Sequence, residues 1–549
     1  MRPTRIRVHG TCEVCVQQRV PGRRGNGLGL VGPRHRGGRG ARWQFAAALA
    51  LVAWFAPPRD ATAAAGGEFE IRAIDDQTKQ PIAVRMHVKD AQGKPVKPAK
   101  LPFWHDHFVM PGKAVLELRP GRYTFEMERG PEYRIRTGHF EIRRGDADNR
   151  ELVMQRFVDM KDEGWWSGDL HIHRPANEIE LLMLGEDLHV APVITWWNAN
   201  NPWAATDIPH SPVTCFDRNR FYHVLAGEDE RAGGALLYFN LRRPLPIAAA
   251  EKESPSSCEY LTLAREDPAV HVDVEKPFWW DMPAWIATGH VDSIGLCNNH
   301  MQRDKMLDNE AWGKPRDRIA FPAPHGNGLW SQAIYYQLLD CGLRIPPSAG
   351  SASGVLPNPV GYNRVYVHCG PTLTYDAWWK NLRAGQVVVT NGPLIRDPRL
   401  NGELPGHVFQ ADAGGNVQLQ ATLNLSIREP VDYLEVVKDG VVVHQVRLQD
   451  WADSGGRLPP VEFDRSGWML VRAVTGNPKT YRFASTGPWY VEIGDRRISR
   501  KAAQFFFDWV YERARRIELP AGEQRDAVLK YHRAARDYWQ QLLNEANAE

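Results

Sequence analysis

Two histidines one residue apart, His171 and His173, are the side chains of this sequence best placed to do chemistry. They end the run Gly164-Trp-Trp-Ser-Gly-Asp-Leu-His-Ile-His173, which reads as a turn followed by a short strand. Positions two apart on an extended segment face the same side, so both imidazoles can reach one ion. Neutral imidazole is a common metal ligand. The spacing alone is weak evidence, because 19 histidines in 549 residues give roughly 0.7 such pairs by chance. A second pair, His105-Asp-His107, does occur, in a β-rich region without strand-end acids around it.

The elements that must position these residues change character along the chain. From Gly67 to about Phe157, short alternating runs such as Phe69 to Ile74 and Tyr123 to Glu128 are separated by turn signals, the spacing of a β-sandwich. Between Trp165 and about Thr390, apolar strands (Val190 to Thr195, Val270 to Val274, Val291 to Cys297, Arg364 to Val367) alternate with helical patterns (Ile179 to Glu186, Asp281 to Thr288, Ser331 to Asp340). That alternation predicts an α/β domain with parallel strands, whose reactive groups sit at strand C-termini. After Gly402 the pattern returns to β, and Lys501 to Arg515 and Gly522 to Ala546 read as helices, with Phe505, Phe506, Trp509 and Val510 on one face of the first. The expected units are a basic leader with signal peptide over 1–65, a β-sandwich over 66–158, a β/α domain over 159–398, a β-domain over 399–500 and helices over 501–549.

Ser167-Gly-Asp-Leu-His-Ile-His173 resembles the first motif of the PHP (polymerase and histidinol phosphatase) superfamily. The flanking β-domains are similar to those of its carbaryl-hydrolase-like branch. Leu225-Ala-Gly-Glu228, the stretch from Cys341 to Ser351, the run Asn358-Pro-Val-Gly-Tyr-Asn-Arg-Val-Tyr366 and Val389-Thr-Asn-Gly-Pro393 fit the same branch. The resemblance implies a distorted β/α barrel with a metal centre at its mouth. Four positions depart from the family pattern: Thr195-Trp196-Trp197 replaces Thr-Asp-His, Gly234-Ala235 replaces Gly-His, Lys276-Pro277 replaces His-Pro, and Gly350 to Gly354 lacks the usual aspartate and histidine. What remains is one divalent ion, zinc, manganese or iron, on His171, His173 and Glu228, with water completing the shell. Asp169 is expected to orient a histidine through its ring N–H. His271, Asp273 and His300 are candidates for a fourth ligand or a base, against the plainer reading of hydrogen-bonded structural residues. Lys276 reads either as a fixed positive charge in place of a lost ligand or as a surface lysine.

Composition, 43% hydrophobic and 24% charged, is that of a folded protein. Residues 1–65 hold eleven arginines and two acids, a net +9 against +3 for the whole chain, so the rest carries −6. Nothing in that balance points to nucleic acid. The twelve-residue apolar run Phe45 to Ala56 is shorter than the roughly 20 residues of a membrane span and is followed by small residues, the order of an export signal. The mature chain is therefore expected outside the cytoplasm without a membrane span. Cys12 and Cys15 fall in that leader; the other five cysteines lack metal-ligand spacing and read as buried free thiols. Tryptophans crowd the predicted strand ends, among them Trp196, Trp197, Trp279 and Trp280; more than half should be core, and the rest could grip a ring-containing small molecule. Two functions stand: hydrolysis of an ester, amide or phosphoester by a metal-activated water, or non-catalytic binding of a carbohydrate or cell-surface ligand. The sequence carries no sign of oligomeric state.

Overall fold

Alternation builds the first layers. Strand Gly67–Asp75 turns Phe69, Ile71 and Ala73 inward and leaves Glu68 and Arg72 exposed, the period of two that a half-buried strand requires. In the computed structural model, which describes residues 66–247 and 250–549, this strand pairs antiparallel with Lys113–Leu118 and parallel with Ala147–Met154. A second sheet runs in the order Phe103–Trp104, His107–Met110, Val84–Asp90, Gly121–Glu128, Arg136–Ile142. Phe69 and Ile71 of the first sheet share one core with Met86, Phe108 and Phe140 of the second, so the region is sandwich-like. The expected leader, signal segment, Cys12 and Cys15 lie outside the described residues.

The rest is mixed α/β, organised on a 16-stranded sheet. Trp165–Gly168, Val190–Trp197 and Arg220–Arg231 run parallel, as do His271–Val274, Ser293–Cys297 and Pro347–Ala349. The expectation of parallel strands holds within those two sets but not between them, and not for Arg364–His368, which pairs antiparallel with Trp165–Gly168 and Val387–Thr390. Arg220–Arg231 turns back as a hairpin into Gly234–Phe239, which pairs antiparallel with His271–Val274. Gly234 makes that hairpin: it sits at φ +113° with its face against the Trp279 ring, where an added Cβ would lie 2.3 Å from Cγ. Only glycine meets both demands. Between Gly168 and Arg174 the chain is bonded on both sides: Ile172 bridges Val193 and Ser353, Ile172 O accepts from Ile194 N, and Leu170 N donates to Ala349 O at 3.0 Å.

Beyond Trp165–Gly168 the sheet continues through Arg364–His368, Val387–Thr390, Phe483–Thr486, Gly467–Thr475, Val431–Lys438 and Val441–Arg447, crossing position 398 without a break. The described residues form one compact unit. The helix Ile179–Glu186 has the bounds expected, and Arg500–Arg515 starts one residue early because the Ser499 hydroxyl caps Ala502 N. Phe506, Trp509 and Val510 are buried from that helix, with Phe505 partly so. A buried network ties the terminal helices down: Arg513 binds Asp281 and Glu253, and His532 of the last helix, Glu523–Glu545, reaches Asp281 at 3.3 Å. All five cysteines after the leader are free, but only Cys258, Cys297 and Cys341 are buried as expected; Cys369 is half-buried and Cys215 exposed. Among the described residues no helix is long and apolar enough to cross a membrane.

Candidate metal centre

His171 and His173 follow the end of strand Trp165–Gly168, and Glu228 lies on the parallel strand Arg220–Arg231. The pairing of Val190–Trp197 with both strands brings them to one point. His171 Nε2 lies 3.0 Å from His173 Nε2, His173 Nε2 lies 3.0 Å from Glu228 Oε2, and His171 Nε2 lies 3.5 Å from the same oxygen. Four ligands at zinc distances of 2.0–2.1 Å define tetrahedral edges of about 3.3–3.4 Å, so the three atoms have the spacing of one face of a coordination tetrahedron. Glu228 Oε2 is buried and makes no properly directed hydrogen bond among the described residues. A buried acceptor left without a donor is costly, and a cation between the three atoms would satisfy it. The donor set fits a divalent ion.

The other nitrogen of His171 shows how the ring is aimed. Nδ1 lies 3.2 Å from Glu275 Oε1, a carboxylate on the far side of the ring from the ligand atom, the usual partner of a metal-bound histidine. Glu275 also accepts from Asn299 Nδ2 at 2.6 Å and Trp279 Nε1 at 3.0 Å, and pairs with Lys276. This corrects the role expected of Asp169. Its Oδ1 accepts the backbone N–H of His171 and of Ser351, each at 3.0 Å, and its Oδ2 accepts the Gly361 N–H at 2.7 Å. Asp169 thus fixes the loops rather than a ring N–H, because an aspartate readily captures the backbone N–H two residues on. Gly350 completes the cradle: an added Cβ there would come within 2.5 Å of His171 Cβ.

The remaining candidates separate. Lys276 is buried, not a surface lysine; its ammonium pairs with Glu275 and lies 4.5 Å from the centre of the Trp279 ring. Asp273 accepts from the hydroxyls of Ser293 and Ser348. His271 is drawn away from the centre: it begins the strand whose far end leads into Glu275, its Nε2 meets Ser293 Oγ at 2.7 Å, and its ring packs on Trp379. His300 packs on Phe278 and makes no side-chain contact with the histidine pair; burial and then Lys276 pull its pKa down to about 3. His105 takes a left-handed turn (φ 50°), so the second His-x-His pair does not form a site. Instead Asp106 lies 3.2 Å from both His87 Nδ1 and His107 Nδ1, a second buried His/Asp group that could hold a metal.

Sequence reasoning missed Glu275, Asn299 and Glu230. Glu275 directly follows the strand His271–Val274, so the strand-end rule that favoured its neighbours pointed at it equally. Glu230 lies two residues beyond Glu228 and so on the same side of the strand; burial, then repulsion from Glu228 and Glu275, pushes it up to about 8. No family model, no curated protein and no solved structure matches the chain.

The electrostatics give a measurable consequence. Burial by itself would lower the His171 pKa, but the Glu228 and Glu275 carboxylates outweigh it and raise it to about 10; burial would raise Glu228, yet the two histidines hold it down to about 2. The metal-free protein therefore carries a protonated His171 at neutral pH, and a metal must displace that proton. Below pH 10, metal affinity should rise with pH by up to about tenfold per unit, with about one proton released on binding at pH 7. Calorimetric titration in two buffers of different protonation enthalpy reads this directly, and identical heats in both would contradict it.

Proposed function

We propose that this chain is an exported metal-dependent hydrolase of the PHP type, acting on an ester, amide or phosphoester. The reading rests on one observation above the rest: two imidazole nitrogens and one carboxylate oxygen converge at 3.0–3.5 Å while a buried carboxylate turns the first ring from behind. The two-sided bonding of Leu170 to His173 supports a distorted β/α barrel with this centre at its mouth. A single ion fits better than a cluster, since Lys276 brings an ammonium to the neighbouring Glu275.

A divalent ion held by His171, His173 and Glu228 would supply Lewis acidity that makes water nucleophilic near neutral pH. Glu275 fixes the tilt of His171, Asn299 and Trp279 fix Glu275, and Asp169 fixes the loops that carry both histidines. A cavity of about 550 Å³ has Glu230 and Asn198 on its wall together with Trp280 and the half-exposed Trp312. Glu230 thus borders both the centre and an aromatic space large enough for a ring-containing substrate. Glu230, which burial and then Glu228 and Glu275 hold above the usual carboxylate range in the metal-free protein, is placed to exchange a proton with a leaving group.

The test is a panel of aryl esters, amides and phosphoesters presented to zinc-, manganese- and iron-loaded protein. Turnover that a chelator abolishes and added metal restores is the expected result. Tight binding of ring-containing ligands by the loaded protein, with no turnover of any of them, would replace the hydrolase with a binding protein.

A further inference from the structure

Two of the stretches that stand out in the sequence take no part in ligating the proposed ion, and they meet elsewhere. Gly361, Tyr362 and Arg364 come from the first, and Thr390, Asn391 and Gly392 from the second; both line a cavity of about 80 Å³. That is several times the roughly 10–15 Å³ a single water needs. The opposite wall comes from the sandwich-like region and from the loop after Ser426.

Five arginines line this space: Arg85, Arg303, Arg364, Arg428 and Arg482. Against them stand three glutamates, Glu128, Glu186 and Glu429. Glu126 and Asp304 also reach Arg303 from outside the wall, but Asp304 is 68% exposed and its charge is spent largely on water. Burial pushes Glu186 up to about 7, which weakens it further as a counter-charge. Burial and the like charge of Arg85 pull Arg303 down to about 10, and Arg428 is lowered by burial in the same company. A buried cation excess is costly unless something negative offsets it.

Hydrogen bonding tells the same story atom by atom. Arg364 donates Nε to Gly361 O at 2.6 Å and Nη2 to Glu186 O at 3.2 Å, while its Nη1 is buried with no acceptor among the described residues. Arg85 is paired with Glu128 and Glu186, yet its Nη1 is also buried without an acceptor. Two guanidinium donors thus stand ready in a cavity whose wall is net positive. Guanidinium forks match the oxygens of tetrahedral anions.

We infer that this cavity binds a tetrahedral oxyanion, either free phosphate or sulfate or the phosphate of a small monoester, with Arg85 and Arg364 as its main contacts and Arg428, held by Glu128 and the Gly130 and Tyr133 carbonyls, adding positive charge to the wall. The site is separate from the metal ligands but adjoins their support, since Gly361 both donates to Asp169 and accepts from Arg364.

Chelator-treated, metal-free protein titrated with inorganic phosphate and with glycerol phosphate, at constant ionic strength in chloride, tests this without the metal centre taking part. One saturable site is expected, and Arg428→Gln, checked for folding by its melting curve in chloride, should weaken it by about tenfold or more. Binding of inorganic phosphate alone assigns the free ion; binding of both assigns the phosphate group as such. Crystals soaked in tungstate give a second reading that needs no variant, with the anomalous peak expected between Arg85 and Arg364. Absence of saturable phosphate binding, binding that Arg428→Gln leaves unchanged, or a tungstate peak elsewhere would overturn the inference.

Discussion

Purified protein is expected to hold about one equivalent of zinc, manganese or iron, and the His171→Ala, His173→Ala double variant is expected to hold none. Loss of a single outer partner of a metal ligand lowers affinity about 10–100-fold, so loss of two of three direct ligands should exceed that range. Glu228 cannot hold the ion alone. The three atoms act as a unit because each lies within 3.5 Å of the other two, and with both rings gone the carboxylate faces an empty, buried space. Elemental analysis beside a thermal melt makes the comparison. Metal absent from the wild type even after soaking would remove the hydrolase reading. Metal retained by the double variant would relocate the ion, and His87, Asp106 and His107 are where to look next.

The second large effect concerns a residue that touches no ion. Glu275→Gln should lower metal affinity about 10–100-fold by removing the carboxylate behind His171. It should also destabilise the fold, because Lys276 is 3% exposed and Glu275 is its ion-pair partner. Breaking a buried pair by deleting one partner costs about 3–5 kcal/mol, and the indole of Trp279 and the amide of Asn299 lose a charged acceptor as well. A double variant, Glu275→Gln with Lys276→Met, separates the two roles: stability should largely return, and metal affinity should not. Denaturant unfolding reads the first and competition with a chelator reads the second. If Glu275→Gln binds metal within about threefold of wild type, the carboxylate does not orient His171.

Much of this molecule is written in local pattern. Alternation in Gly67–Asp75 and apolar periodicity in Ile179–Glu186 and Arg500–Arg515 fix strands and helices with nearly the bounds the sequence suggests, because burial on one side is enough to specify them. His171 and His173 were legible for the same reason, since a period of two sets both on one side whatever lies around them. Glu228 needed the resemblance, as no spacing rule links it to a histidine 55 residues earlier.

Other features exist only once the chain is folded. Glu275 meets His171 because separate strands end at one place, and nothing local distinguishes it from Asp273, which bends to two serines, or from His271 at the wrong end of the same strand. Lys276 reads from sequence as either a fixed charge near the centre or a surface lysine, and only the fold, which closes Trp279 and Glu275 around it, decides between them. The five arginines around the second cavity lie as far apart as Arg85 and Arg482 and carry no common motif. The sequence by itself determined which segments are extended or helical and where two imidazoles share a side, since those depend on neighbours a few residues away. Which charges are buried together, and therefore which carboxylate aims a ligand and which cations await an anion, was decided by tertiary structure, because desolvation and Coulomb energies depend on distances in space that the order of residues does not encode.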